Sequence, residues 1–172
     1  MSNSIKKSVD ALLKKHKITT IPVDVEKICE EEGITVSYAD LRAVEKKYEK
    51  EISGVLLTRL GENDIIVNEK DNEKRQRFTI AHELGHYFLH HDHDTKKKSM
   101  MVSFRGARTE REYEADRFAA ELLMPENAVE EEYSKLSASN APYISVLAKI
   151  FDVSKAAMAY RLDNLRKIYI NL

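Results

Sequence analysis

The segment Thr79-Ile80-Ala81-His82-Glu83-Leu84-Gly85-His86-Tyr87-Phe88 carries the side chains best suited to chemistry. Two histidines four residues apart on a helix are separated by about 1.1 turns and project from one face. Both imidazoles can then hold one metal ion, and Zn²⁺ is the ion such pairs favour. Glu83 lies about 100° round the helix from His82, placed to take a proton from a water beside the metal without binding the metal itself. The surroundings favour this reading over incidental histidines on a surface or in a core. Leu84 and Gly85 are uncharged, Ile80, Ala81 and Phe88 are apolar, and no proline interrupts the segment. A mid-helix glycine costs about 1 kcal/mol against alanine, so Gly85 predicts close approach of another element.

A catalytic zinc takes a third protein ligand and leaves its fourth position to water. A histidine ten residues after His82 would serve, but Asp92 stands there. Downstream lies Thr109-Glu110-Arg111-Glu112-Tyr113-Glu114-Ala115-Asp116-Arg117-Phe118-Ala119-Ala120-Glu121-Leu122-Leu123-Met124-Pro125. Glu112 and Asp116 share a helical face, one as ligand and the other within reach of a histidine ring N–H. Glu112 has a purely structural alternative, because Thr109-x-x-Glu112 is also a capping box. Glu114, whose face lies about 200° from that of Glu112, and the His90-His91-Asp92-His93 cluster are the other sources of a third ligand.

These side chains need a scaffold. Ile5, Val9, Leu12 and Leu13 predict a helix over 4–16, and a second runs from Pro22 to Glu32 and stops at Gly33. Strands are expected at 34–38, 54–58 and 64–68, the last two joined as a hairpin through Gly61-Glu62-Asn63. The motif helix runs from a cap at Asp71 or Asn72 to about Leu89. Further helices cover Thr109 to Met124 and a stretch to about Leu136. The 137–142 segment reads as a linker, followed by two more helices. The expected fold class is α+β: a small antiparallel sheet of about three strands, packed on a helical core that carries the histidines, with a helical tail. The expected division is 1–136 for the domain with the chemistry and 137–172 for a C-terminal extension.

Composition sets outer bounds. The chain has 172 residues, with 28 Lys and Arg against 29 Asp and Glu, a net charge of −1. That balance lacks the electrostatic footprint of a nucleic-acid binder. No apolar run approaches the roughly 20 residues of a spanning helix, and 1–10 is too polar for a signal peptide. Cys29 is the only cysteine, which removes disulfides and multi-cysteine metal sites, and it reads as a core hydrophobe. A reducing, cytoplasmic location is expected.

His82-Glu83-Leu84-Gly85-His86, followed by the run from Glu112 to Pro125, resembles the ImmA/IrrE family of metallopeptidases. The resemblance extends from the strands before the motif helix to Pro125. It implies a compact zincin-like fold and zinc held by His82, His86 and Glu112, with Glu83 as base; with Glu112 the ligand, the helical spacing leaves Asp116 to support a histidine. It also implies a cytoplasmic endopeptidase whose protein substrate is a helix-turn-helix transcriptional repressor. The alternatives are a repressor-binding module with a structural metal, or a DNA-binding regulator.

Three further features are weaker. Lys96, Lys97, Lys98, Arg105, Arg108 and Arg111 make 94–111 basic, as a solvated loop or as a substrate contact. Leu147 to Leu162 resembles a helix-turn-helix unit with Asp152 where a turn glycine is usual. Its second helix offers Ala and Met rather than base-reading side chains, which favours packing or protein contact over DNA. His90, His91, His93 and Tyr113 are candidates to stabilise an oxyanion, and an extended substrate has an expected seat on an edge of the strand pair at 54–68.

Overall fold

The computed structural model describes residues 2–59, 62–90, 99–106, 109–136 and 142–165. In chain order they form α1 (Ser2–Lys15), α2 (Val25–Glu31), β1 (Ile34–Ala39), α3 (Arg42–Tyr48), β2 (Ile52–Arg59), β3 (Glu62–Asn68), α4 (Glu73–His90), β4 (Ser99–Phe104), α5 (Glu110–Leu123), α6 (Glu126–Leu136), α7 (Tyr143–Ile150) and α8 (Lys155–Asn164). The fold is α+β, as the sequence indicates.

Local chemistry sets most boundaries. Asp24 caps α2 by accepting from the Lys27 N–H, and Gly33, at φ +69°, takes the left-handed conformation that ends it. The Asn72 side chain accepts from the Arg75 N–H at 3.1 Å and starts α4. Thr109 caps α5 through the Glu112 N–H at 3.3 Å.

The sheet has four strands in the order β1-β3-β2-β4 and corrects the expected antiparallel three. β1 runs parallel to β3, because the chain crosses through α3 before returning, while β2 is antiparallel to both β3 and β4. The additional strand, β4, falls in the basic stretch read as a loop. Its presence leaves β2 and β3 internal, so the hairpin has no free edge; the edges are β1 and β4.

Side-chain alternation gives the sheet two apolar faces. Leu56, Ile65, Val67 and Ile34 join the main core with Ile80, Leu84, Phe118, Leu122, Leu147, Phe151 and Met158. Val55 and Ile52 form a smaller cluster with Leu41 on the opposite face. α4 lies between the sheet and α5, and its residues Thr79 to His86 are all buried. Cys29 is in the main core, where burial pushes its thiol up to about 12.

The last two helices share this core. Arg161 on α8 donates to the Met124 carbonyl at 3.0 Å and to Glu121 Oε2 at 2.5 Å, within the interior. Asp152 does adopt the left-handed turn conformation, at φ +49°. Arg77 of α4 holds that turn, donating to the Asp152 carbonyl at 2.6 Å and to the Val23 carbonyl at 2.7 Å. The linker expected at 137–142 lies, but for Pro142, outside the described residues, as do 91–98 and 107–108 of the basic stretch.

Candidate active site

The crossing of α4 and α5 builds the site. Four-residue spacing places the His82 and His86 rings on one face, 4.7 Å apart between centroids and nearly perpendicular. α5 approaches that face through Gly85, where an added Cβ would stand 3.0 Å from the Ala115 Cα and 3.1 Å from its carbonyl oxygen. The close approach predicted from Gly85 is therefore made by a second helix, and it delivers Glu112 to the histidines.

His82 Nε2 and His86 Nε2 lie 3.1 Å apart, Glu112 Oε2 is 3.2 Å from His82 Nε2, and Glu112 Oε1 is 3.3 Å from His86 Nε2. Three donors on a tetrahedral zinc would be spaced by about 3.3–3.4 Å, given bonds of about 2.0–2.1 Å. The donor set thus fits a zinc-sized cation both in spacing and in chemistry. Among the described residues, no other group of three metal-binding side chains converges in this way. The Glu112 carboxylate is spent on the histidines, while the backbone N–H of the same residue completes the Thr109 cap.

Asp116 Oδ1 lies 2.8 Å from His82 Nδ1, one turn further along α5 from Glu112. Burial opposes a charge on His82, but the hydrogen bonds of Asp116 and Glu112 outweigh it and raise its pKa to about 10. Burial likewise opposes charge on Glu112, and the two histidines reverse the effect and bring its carboxyl down to about 2. His86 Nδ1 is buried with no hydrogen-bond partner among the described residues.

Glu83 is fully buried and is not one of the converging trio, and neither carboxylate oxygen has a hydrogen-bond partner among the described residues. Burial pushes its carboxyl up, while His82, Ser103 and His86 pull the other way. The carboxylate lies over Gly54 of β2, where an added Cβ would stand 2.9 Å from Glu83 Oε1. Only glycine leaves this space open.

A cleft of about 300 Å³ opens on His82, Glu112 and Asp116, walled by Phe78 and Thr79 of α4 and by Ser103, Phe104 and Arg105 at the end of β4. Arg75 and Ser53 complete its rim. A larger open depression between α2 and β1, about 730 Å³, contains charged side chains but no histidine.

Of the remaining candidates, the His90 ring lies 5.7 Å from that of His86. Glu114 lies 3.4 Å from His90 Nε2 and is not grouped with the histidine pair, and the Tyr113 side chain is largely exposed. His91 and His93 lie outside the described residues. Sequence reasoning missed Gly54, Thr79 and Ser103. A glycine inside an apolar strand was the one local signal available, since it marks close approach of another group.

Comparison with known proteins agrees with this geometry. Residues 29–163 match the model of a peptidase family described as the IrrE N-terminal-like domain. Metallopeptidase ImmA of Bacillus subtilis (strain 168) is 26% identical over 164 residues, covering 95% of this chain and 87% of the relative. Radiation response metalloprotease IrrE of Deinococcus radiodurans is 33% identical over 102 residues, covering 58% of this chain and 30% of the relative. Uncharacterized immunity region protein 2 of Bacillus phage phi105 is 30% identical over 122 residues, covering 71% of this chain and 69% of the relative. A family match spanning most of the chain, including both helices that bring His82, His86 and Glu112 together, places this protein in the ImmA/IrrE family of metallopeptidases.

Proposed function

We propose that the chain is a zinc-dependent endopeptidase of the cytoplasm, and that its protein substrate is a helix-turn-helix transcriptional repressor. The observation that carries this reading is the convergence of His82, His86 and Glu112 beside a buried Glu83. His82 and His86, through their Nε2 atoms, and Glu112, through its carboxylate, are the residues that would hold the ion. When bound, zinc supplies a Lewis acid that lowers the pKa of a water towards about 7 and polarises the scissile carbonyl.

The chain's own groups do the rest. Glu83 accepts the proton of the attacking water on a carboxylate oxygen and delivers it to the leaving amine. Its burial keeps bulk water from competing for that proton. Asp116 accepts from His82 Nδ1–H, which fixes the tautomer whose Nε2 lone pair faces the metal position. The substrate strand docks on β4, an edge strand among the described residues whose end lines the cleft, and main-chain hydrogen bonds there give little sequence selectivity.

A relative named for a phage immunity region supports a regulatory substrate. In this reading 1–136 carries the chemistry and 137–172 is a C-terminal extension braced against it through Arg77 and Arg161. The exposed residues of α8, among them Lys155, Ala156 and Tyr160, favour protein contact over base reading.

The test is incubation of the zinc-loaded full chain with candidate helix-turn-helix repressors from the same genome, followed by mass spectrometry. Two complementary repressor fragments are expected, and a chelator should abolish them. An intact repressor held in a stable complex would instead assign the chain to sequestration.

A further inference from the structure

Behind the cleft wall formed by Thr79 and Ser103 lies a group of buried polar atoms with no hydrogen-bond partner among the described residues: Glu83 Oε1 and Oε2, Thr79 Oγ1 and Ser103 Oγ. Buried polar atoms are rarely left unpaired, so four in one place mark a functional arrangement. They come from two elements. Thr79 and Glu83 lie one turn apart on α4, and both side chains reach the same point over Gly54: a Cβ there would meet Thr79 Cγ2 at 2.5 Å and Glu83 Oε1 at 2.9 Å. Ser103 is on β4, directly opposite Gly54 in the β2–β4 pairing.

Gly54 and Ser103 share the face of the sheet that meets α4, because Leu56 and Met101, two residues away on their strands, pack into the core on that side. Gly54 removes a side chain where the carboxylate lies, and Ser103 places a hydroxyl donor across the pair. A carboxylate with no fixed partner is free to rotate about its terminal torsion, and a misplaced base loses rate steeply.

We propose that Ser103 is a positioning residue for Glu83: seated opposite Gly54 and unpartnered among the described residues, its hydroxyl turns to donate to the carboxylate in the zinc-loaded protein and fixes its orientation towards the metal trio. The assignment rests on the reading of Glu83 as the base. It gives β4 two tasks, since the strand whose end lines the cleft also holds the group that moves the proton. A substrate strand that straightens or shifts β4 therefore acts on Glu83 through Ser103.

The experiment compares wild type, Ser103→Ala and Ser103→Thr as zinc-loaded full chains. The Glu83 carboxylate stretch is isolated as the infrared difference against Glu83→Gln, and kcat and KM are measured on the same samples. In Ser103→Ala the band is expected to shift and kcat to fall about ten- to a hundredfold, with KM and zinc content unchanged. Ser103→Thr, which keeps the hydroxyl, is expected to hold the wild-type band and most of kcat. A wild-type band and rate in Ser103→Ala would overturn the assignment. So would a loss of rate that follows lost zinc while the band stays in place. Full activity in Glu83→Gln would instead remove the reading of Glu83 on which the assignment stands.

Discussion

Gly85 and Ala115 meet backbone to backbone: a Cβ on the glycine would stand 3.0 Å from the Ala115 Cα. That contact sets how near α5 comes to α4, and so whether Glu112 reaches the two imidazoles one helix away.

Gly85→Ala should therefore weaken zinc binding. Alanine gains about 1 kcal/mol of helix propensity, but the atoms it meets are the Ala115 backbone and the Phe118 Cβ, which cannot swing aside. α5 must retreat, taking Glu112 with it. Competition against a chromophoric chelator should show weaker zinc affinity while the circular dichroism spectrum stays native. Unchanged affinity would mean that the site does not depend on this contact.

Glu112, Asp116 and Glu114 of α5 should separate cleanly. Glu112→Ala should lose most zinc affinity. Asp116→Asn should lose about 10–100-fold through the orientation of His82, and Glu114→Ala should be near wild type. Isothermal titration with zinc measures all three. Strong loss in Glu114→Ala with little in Glu112→Ala would reassign the ligand.

Much of this was legible in the sequence, for local reasons. The spacing of His82 and His86 places both rings on one face of any helix, and Asn72, Thr109 and Gly33 announce helix ends through their own side-chain or backbone chemistry. What was hidden depended on distant partners. β4 became a strand by pairing with β2, and its alternation was blurred because Met100, Met101 and Val102 put apolar side chains on both faces. α3 has seven residues, no side-chain cap and no buried residue, so it left no periodic signature. Ser103 gave no sign of its place beside Glu83, because only the β2–β4 register puts it there.

Chelator-treated protein should show a pH dependence set by the same trio. The folded-state pKa of His82 is raised from 6.5 to about 10, so its contribution to stability is complete below pH 6.5 and is lost as pH rises through about 10. Glu112 is lowered from 4.5 to about 2, so its contribution is complete above pH 4.5 and is lost as pH falls through about 2. The thermal midpoint of chelator-treated wild type should decline between pH 7 and 10, and Glu112→Gln should decline less. Zinc uptake must displace the His82 proton, so affinity should fall as pH drops. Superimposable profiles for the two proteins would contradict the pairing.

Arg161→Ala should destabilise the whole chain. It leaves Glu121 buried without its guanidinium partner, a change that typically costs about 3–5 kcal/mol. Urea unfolding followed by circular dichroism gives the value. A loss under about 1 kcal/mol would mean that the pair behaves as an exposed one.

The most direct measurement is a crystal structure of the full chain grown with zinc, with the ion located by anomalous scattering. A single peak is expected at about 2.0–2.2 Å from His82 Nε2, His86 Nε2 and a Glu112 oxygen, with solvent as the remaining ligand on the side of Glu83. A peak elsewhere, or an ion enclosed by a fourth protein donor, would contradict the account.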